Sequence, residues 1–213
     1  MSAVAPPTVS ESRIVLHGVS WELYEQMLHE LGEQHIHITY DRGELELMSP
    51  LPRHEFYKIV IGRWIMLLAL ELKLNFKQGG SMTFRRRELK KGLEPDDCFW
   101  LENEPAVRDK MDFNPTIDPP PDLALEIDIT SSSLDRQAIY AVIGARELWR
   151  YNGKEFRVYH LVRGNKYAKR TKSLNFPFLP LDEFAKFIER PKGITEGEWV
   201  GRFIEWIRTS VKP

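Results

Sequence analysis

The sequence predicts a single α/β (α+β) domain, on three observations. Short segments that alternate with period two are interleaved with longer segments that carry helical stripes. Of 213 residues, 42% are hydrophobic and 11% aromatic, enough for one well-buried core and too many for a disordered chain. No repeat, low-complexity linker or composition shift divides the chain. Residues 1–12 are therefore assigned to a flexible tail and residues 13–213 to one domain.

The first folded element expected is a helix over residues 20–33. Ser20 serves as N-cap, Gly32 marks the exit, and Trp21, Tyr24, Met27, Leu28 and Leu31 form the apolar stripe. Residues 35–40 and 44–48 alternate as two strands around an Asp41-Arg42-Gly43 turn. A long helix over residues 54–72 is apolar on most faces, so it must be covered by a sheet on one side and by another element or a second subunit on the other. Short strands follow at 75–77, 82–85 and 97–101. After the proline-rich loop 115–121 come a strand at 123–129, a helix at 134–143 ended by Gly144, and a hairpin of 147–151 with 155–161 around Asn152-Gly153. A last short strand follows a turn at residues 163–165, and helices over 181–189 and 196–209 close the chain. The tryptophans at 21, 64, 149, 199 and 206 fall in these patterns and read as core.

Charge and cysteine content narrow the function. Thirty basic residues stand against 31 acidic ones, which excludes a polycationic nucleic-acid coat protein but not an enzyme with one basic cleft. A single cysteine, Cys98, excludes an intramolecular disulfide and a cysteine-based zinc cluster, and makes a reduced, cytoplasmic setting the default. Residues 1–10 lack the basic start and apolar run of a signal peptide. The longest apolar segment, residues 59–74, is broken by Arg63, Glu71 and Lys73, so no membrane partner is expected.

Two segments carry acids in an informative pattern. Along the strand beginning Pro121-Asp122, Leu123, Leu125, Ile127 and Ile129 share one face, while Ala124, Glu126 and Asp128 share the other, with Asp122 at the entrance. Carboxylates on a strand face are solvated at an edge, or else compensated by a divalent metal or by arginines. Upstream, Pro95-Asp96-Asp97 opens another strand; alone it is ordinary turn chemistry. Together, Asp96 and Glu126 are what a Mg²⁺ site needs, because magnesium takes one or two carboxylates, several waters and substrate phosphate oxygens. The segment 85–91 concentrates Arg85, Arg86, Arg87, Lys90 and Lys91 just before Asp96, as either a phosphate track or a solvated hairpin. His35 and His37 alternate on one strand with no third ligand beside them, and read as surface or packing residues.

The order Glu-Leu-Met-Ser-Pro at 46–50, His54, Pro95-Asp96, Pro121-Asp122-Leu-Ala-Leu-Glu126, Asp135-Arg136, Tyr140, Gly144 and Glu147-Leu-Trp149 resembles the Uma2 family. The resemblance runs from about Leu45 to Leu161. It implies a restriction-endonuclease-like PD-(D/E)XK core, a central mixed sheet flanked by helices, and a Mg²⁺- or Mn²⁺-dependent endonuclease acting on DNA. It makes Asp96 and Glu126 the metal ligands. The position two residues after the acid, usually lysine in such nucleases, is Asp128 here. The helix lysine common in the family, four residues before the tyrosine, is Arg136, with Gln137 beside it. Arginine can clamp a phosphate but cannot transfer a proton. The alternative is therefore an inactive nuclease fold that binds nucleic acid or a protein partner. His54 matches a histidine frequent in the family, to orient water or contact phosphate, and Glu55 is a candidate extra acid. A homodimer is expected, as in nucleases that cut both strands. Glu126→Ala is expected to abolish cleavage and leave the fold intact.

Overall fold

The computed structural model describes residues 11–32, 34–115, 117–130 and 132–212. Residues 1–10 of the expected tail lie outside them, as does Glu33, the expected end of the first helix. Glu11 and Ser12 do not behave as tail. Glu11 is buried, and Ser12 opens a strand, β1 (Ser12–Leu16), that no sequence pattern announced. Helix α1 (Trp21–Leu31) follows, with the Ser20 hydroxyl accepting the Leu23 N–H at 3.1 Å. Strands β2 (His37–Asp41) and β3 (Glu44–Ser49) form a hairpin whose turn residues, Arg42 and Gly43, both have positive φ.

Helix α2 (Pro52–Glu71) leads to β4 (Lys77–Gln78), β5 (Phe84–Arg86), β6 (Lys91–Leu93), β7 (Asp97–Trp100) and the single-turn α3 (Glu104–Val107). The ends of these short strands differ from the expected ones by one or two residues because pairing partners, not local pattern, set them. Next come β8 (Leu123–Ile127), α4 (Arg136–Ile143), β9 (Glu147–Tyr151), β10 (Phe156–Val162), β11 (Lys166–Arg170), α5 (Leu181–Lys186) and α6 (Glu196–Ser210). Helix α4 begins two residues later than expected because Asp135 is its N-cap, accepting the Ala138 N–H at 3.1 Å. That start puts Arg136 in the first turn.

The strands form two sheets, β1-β3-β2-β6-β5 and β11-β10-β9-β8-β7-β4. The second is mixed, since β8 and β9 run parallel and its other pairs antiparallel. On one face of β8, Leu123, Leu125 and Ile127 join the core under α2, α5 and α6. On the other, Ala124 packs with Ile139 and Tyr140 of α4 and with Phe84 and Leu93 of the first sheet. Glu126 shares that second face, so it is buried between the layers. Helix α2 is apolar on most faces because Trp64 meets Trp199 and Phe203 of α6 while its other side meets β8. The second cover is thus this chain's own C-terminal helix.

A third cluster fixes the first sheet. Trp21 and Tyr24 of α1 pack on Ile38, Tyr40 and Leu45, with the Tyr24 and Tyr40 rings stacked at 4.8 Å. Gly92 on β6 permits this approach, because a Cβ there would lie 2.1 Å from Tyr24 Oη. Gly92→Ala should therefore destabilise the protein by about 1–3 kcal/mol, the usual range for overpacking a buried site. Thermal unfolding checks it; an unchanged melting temperature would show that α1 is not seated there.

Candidate active site

Pro95 interrupts the ladder between β7 and β8, and Asp96 repairs it. Its backbone N–H donates to Leu125 O at 3.2 Å, and its Oδ2 accepts the Ile127 N–H at 2.6 Å. Asp96 Oδ1 accepts from His54 Nε2 at 2.8 Å, and the other ring nitrogen, Nδ1, donates to Glu11 Oε1 at 2.7 Å. Carboxylates only accept, so both ring nitrogens carry hydrogen and His54 is an imidazolium. Burial works against that charge, but the two carboxylates prevail and hold its pKa up at about 10. Burial likewise pushes Asp96 up, and the His54 hydrogen bond and charge outweigh it, holding the carboxyl at about 2.

Glu126 faces α4. Its Oε1 accepts from Arg136 Nε at 3.0 Å, from Arg136 Nη2, and from the Tyr140 hydroxyl one turn further along. Arg136 also donates to Thr39 Oγ1 and, at 2.7 Å, to Glu94 O. Asp96, Glu126 and Arg136 are only 1%, 4% and 8% exposed. Burial pushes Glu126 up to about 7, against the pull of Arg136 and with the help of the neighbouring Asp96 and Asp128 charges. Of the two compensations open for a strand-borne acid, metal or arginine, Arg136 is in contact.

Several members of this network had no signal in the sequence. Arg13 on β1 bridges Glu11 at 2.9 Å and Glu46 at 2.8 Å, and Glu46 accepts from Ser132 Oγ and Ser133 N, each at 2.8 Å. His37 is not a surface residue. It is 8% exposed, with Nδ1 3.7 Å from Asp96 Oδ1 and without a hydrogen-bond partner. Burial holds its pKa below the ordinary histidine value. The alternation over residues 35–40 did place His37 and Thr39 on one face, which could have found them; Glu11 and Arg13 had no comparable cue.

The remaining candidates disperse. Asp128 pairs with Arg150 at 2.7 Å on the rim, and Gln137 stands beside it. Asp122 lies at the opposite end of β8, capping the backbone N–H groups of Leu101 and Asn103 at 2.8 and 2.9 Å. Glu55 pairs with Lys58 at 3.5 Å on the outside of α2. In the basic run, Arg85 and Arg87 meet Glu25, Arg87 also meets Glu22, Arg86 meets Glu88, and Lys91 meets Asp41 at 2.6 Å. Lys90, at φ 49°, closes the turn between β5 and β6.

Arg136, the partner of Glu126, lines a cleft of about 480 Å³ together with Asp128, Asp135, Gln137, Arg150, Lys154, Glu155 and Arg157. The buried pair also decides how the site can be tested. Glu126→Ala would leave Arg136 buried without its counter-charge, so the expectation of an intact fold does not hold for that substitution. Glu126→Gln keeps the volume and a hydrogen-bonding partner.

A mixed sheet in which a proline-acid step opens one strand, the next strand carries a buried glutamate and a helix arginine meets that glutamate is that of a restriction-endonuclease-like protein. The chain belongs to the Uma2 family, whose model, described as "Putative restriction endonuclease", matches residues 21–187. No curated protein matches it. Among the described residues, no helix is long and apolar enough to cross a membrane.

The donor set suits a hard divalent cation in kind, since Asp96 and Glu126 are both carboxylates and such an ion takes few protein ligands. His37 Nδ1 leaves a buried polar atom beside them still unpaired. No group of three or more metal-binding side chains occurs among the described residues.

Proposed function

We propose that the chain is an endonuclease that hydrolyses phosphodiester bonds of DNA with Mg²⁺ or Mn²⁺, held by Asp96 and Glu126. One observation carries the reading: Glu126, on the strand paired with the one that Asp96 opens, holds Arg136 on the wall of a cleft that also carries Arg150, Lys154 and Arg157. The bound ion would supply Lewis acidity at the phosphate and lower the pKa of an attacking water.

Arg136 has two duties in this reading. It neutralises Glu126 through Oε1, and, because it also lines the cleft, its guanidinium would meet the phosphate and offset the charge that grows in the transition state. It takes no proton. His54, with both nitrogens engaged, is a positioning residue that fixes Asp96. His37, buried and disfavouring its charged form, is the group in the cluster with a free nitrogen for a proton. A homodimer in the cytoplasm, one site per DNA strand, belongs to the same proposal.

A second reading has its own support. His54 and Arg136 already neutralise Asp96 and Glu126, so the cluster is stable as a non-catalytic core. The test is plasmid cleavage with Mg²⁺ and with Mn²⁺, beside calorimetric metal titration with duplex present, for wild type and Glu126→Gln. The nuclease reading expects metal uptake and cutting by the wild type, with the rate down by about 100-fold or more in the variant. Cleavage that survives in Glu126→Gln removes the assignment. DNA binding without turnover in either metal selects the non-catalytic module.

A further inference from the structure

We propose that the nucleic-acid backbone reaches the Glu126–Arg136 site along one face of the second sheet, over Arg150, Arg157 and Lys169, and leaves across the basic edge formed by residues 163–172. This rests on the nuclease reading and adds where the substrate lies, which is not the arginine run at 85–87.

The strand register builds the track. Glu126 on β8 is the cross-strand partner of Arg150 on β9, and Arg150 is the partner of Arg157 on β10. Two positions further along β10, Tyr159 partners Lys169 on β11. Side chains two apart share a face. Ala124, Leu148 and Tyr159 all pack in the cluster under α4, so Glu126, Arg150, Arg157 and Lys169 project from that same face. Three steps between strands cover roughly 14 Å, about four phosphates of one strand at their axial spacing.

Charge points the same way. Residues 163–172 hold five cations, Arg163, Lys166, Lys169, Arg170 and Lys172, and no acid. Lys166, Lys169, Arg170 and Lys172 are exposed and make no salt bridge among the described residues. The arginines at 85–87 are tied to Glu22, Glu25 and Glu88; Arg150 and Arg157 are paired as well, with Asp128 and Glu155, so it is the edge strand that adds cations without a salt bridge among the described residues. A second groove, of about 770 Å³, shares Arg157 with the first and carries Lys169, Arg170, Lys172 and Phe178, with Asp182 and Glu183 also on its lining. Lysines on an edge strand also deter sheet-to-sheet pairing. That role requires no alignment with Arg150 and Arg157, and the register supplies one.

The experiment is fluorescence anisotropy of a labelled duplex in EDTA, from 50 to 200 mM salt, with circular dichroism as the check on folding. Lys166→Ala/Lys169→Ala/Lys172→Ala is compared with Arg86→Ala/Lys90→Ala, at the competing location, and with single Lys169→Ala should the triple variant misfold. The expected result is a loss of affinity of about 10-fold or more for the edge variant at 50 mM salt. The slope of log affinity against log salt should also flatten by about 2–3, since each lost phosphate contact removes roughly 0.9. Arg86→Ala/Lys90→Ala should stay within about twofold of wild type at each salt. Unchanged affinity in a folded or aggregating edge variant, with wild type still binding and cutting, overturns the track and leaves the nuclease reading standing. Loss confined to the 86/90 variant does the same. A wild type that neither binds nor cuts DNA overturns both.

Discussion

Arg136→Met should destabilise the protein by about 3–5 kcal/mol, the range for removing one partner of a buried ion pair. Glu126 would keep only the Tyr140 hydroxyl on its Oε1, in a site that is 4% exposed. Glu126→Leu should cost a similar amount for the converse reason, because arginine cannot shed its charge. The double variant should recover at least half of either loss, since it leaves neither charge uncompensated, although Thr39 Oγ1 and Glu94 O still lose their donor.

The pH dependence separates the two single variants. Glu126 has its folded pKa raised from the ordinary 4.5 to about 7, so its contribution is complete below 4.5 and declines as pH rises through 7. Without Arg136 the folded value rises further. Arg136→Met should therefore lose more stability at pH 8 than at pH 5.5, while the loss in Glu126→Leu should shrink over that interval, because the variant lacks the wild type's Glu126 titration. Urea unfolding of the four proteins at both pH values measures this. Two additive single losses below about 1 kcal/mol would mean that Arg136 does not rest on Glu126 in solution.

The second large effect concerns His54, measured on protein kept in EDTA. Its folded pKa is about 10 against an ordinary 6.5, so the folded state holds an extra proton between those values. The stabilisation is complete below about 6.5 and is lost as pH rises through 10. At about 1.36 kcal/mol per pH unit, wild type should lose up to roughly 4 kcal/mol between pH 6.5 and 9.5. The Asp96 and Glu11 shifts reflect the same contacts and add nothing separate. His54→Gln should remove most of that slope. A wild-type profile as flat as the variant's would show that the imidazole is not held between two carboxylates.

Much of this fold was readable from local pattern. Ser20 and Gly144 marked helix ends, Arg42-Gly43 and Asn152-Gly153 marked hairpins, and the alternation at 123–127 correctly split Leu123, Leu125 and Ile127 from Ala124 and Glu126. What stayed hidden was non-local. Strand β1 is five residues whose partner, β3, lies some thirty residues away, and nothing in Glu11-Ser-Arg13 reports that Arg13 will span Glu11 and Glu46. His37 looked idle because its neighbour in space, Asp96, is nearly sixty residues downstream.

By itself, then, the sequence determined most of the elements, though not β1, β6 or α3, and it carried the family resemblance that singles out Asp96 and Glu126, because periodicity, caps and turn residues act over a few positions. Only the tertiary structure decided how those acids are neutralised, which histidine is charged and which basic residues are free. Each of these depends on which side chains meet after long loops close and on how much water is left between them, and burial is what turns an ordinary carboxylate, imidazole and guanidinium into one coupled network.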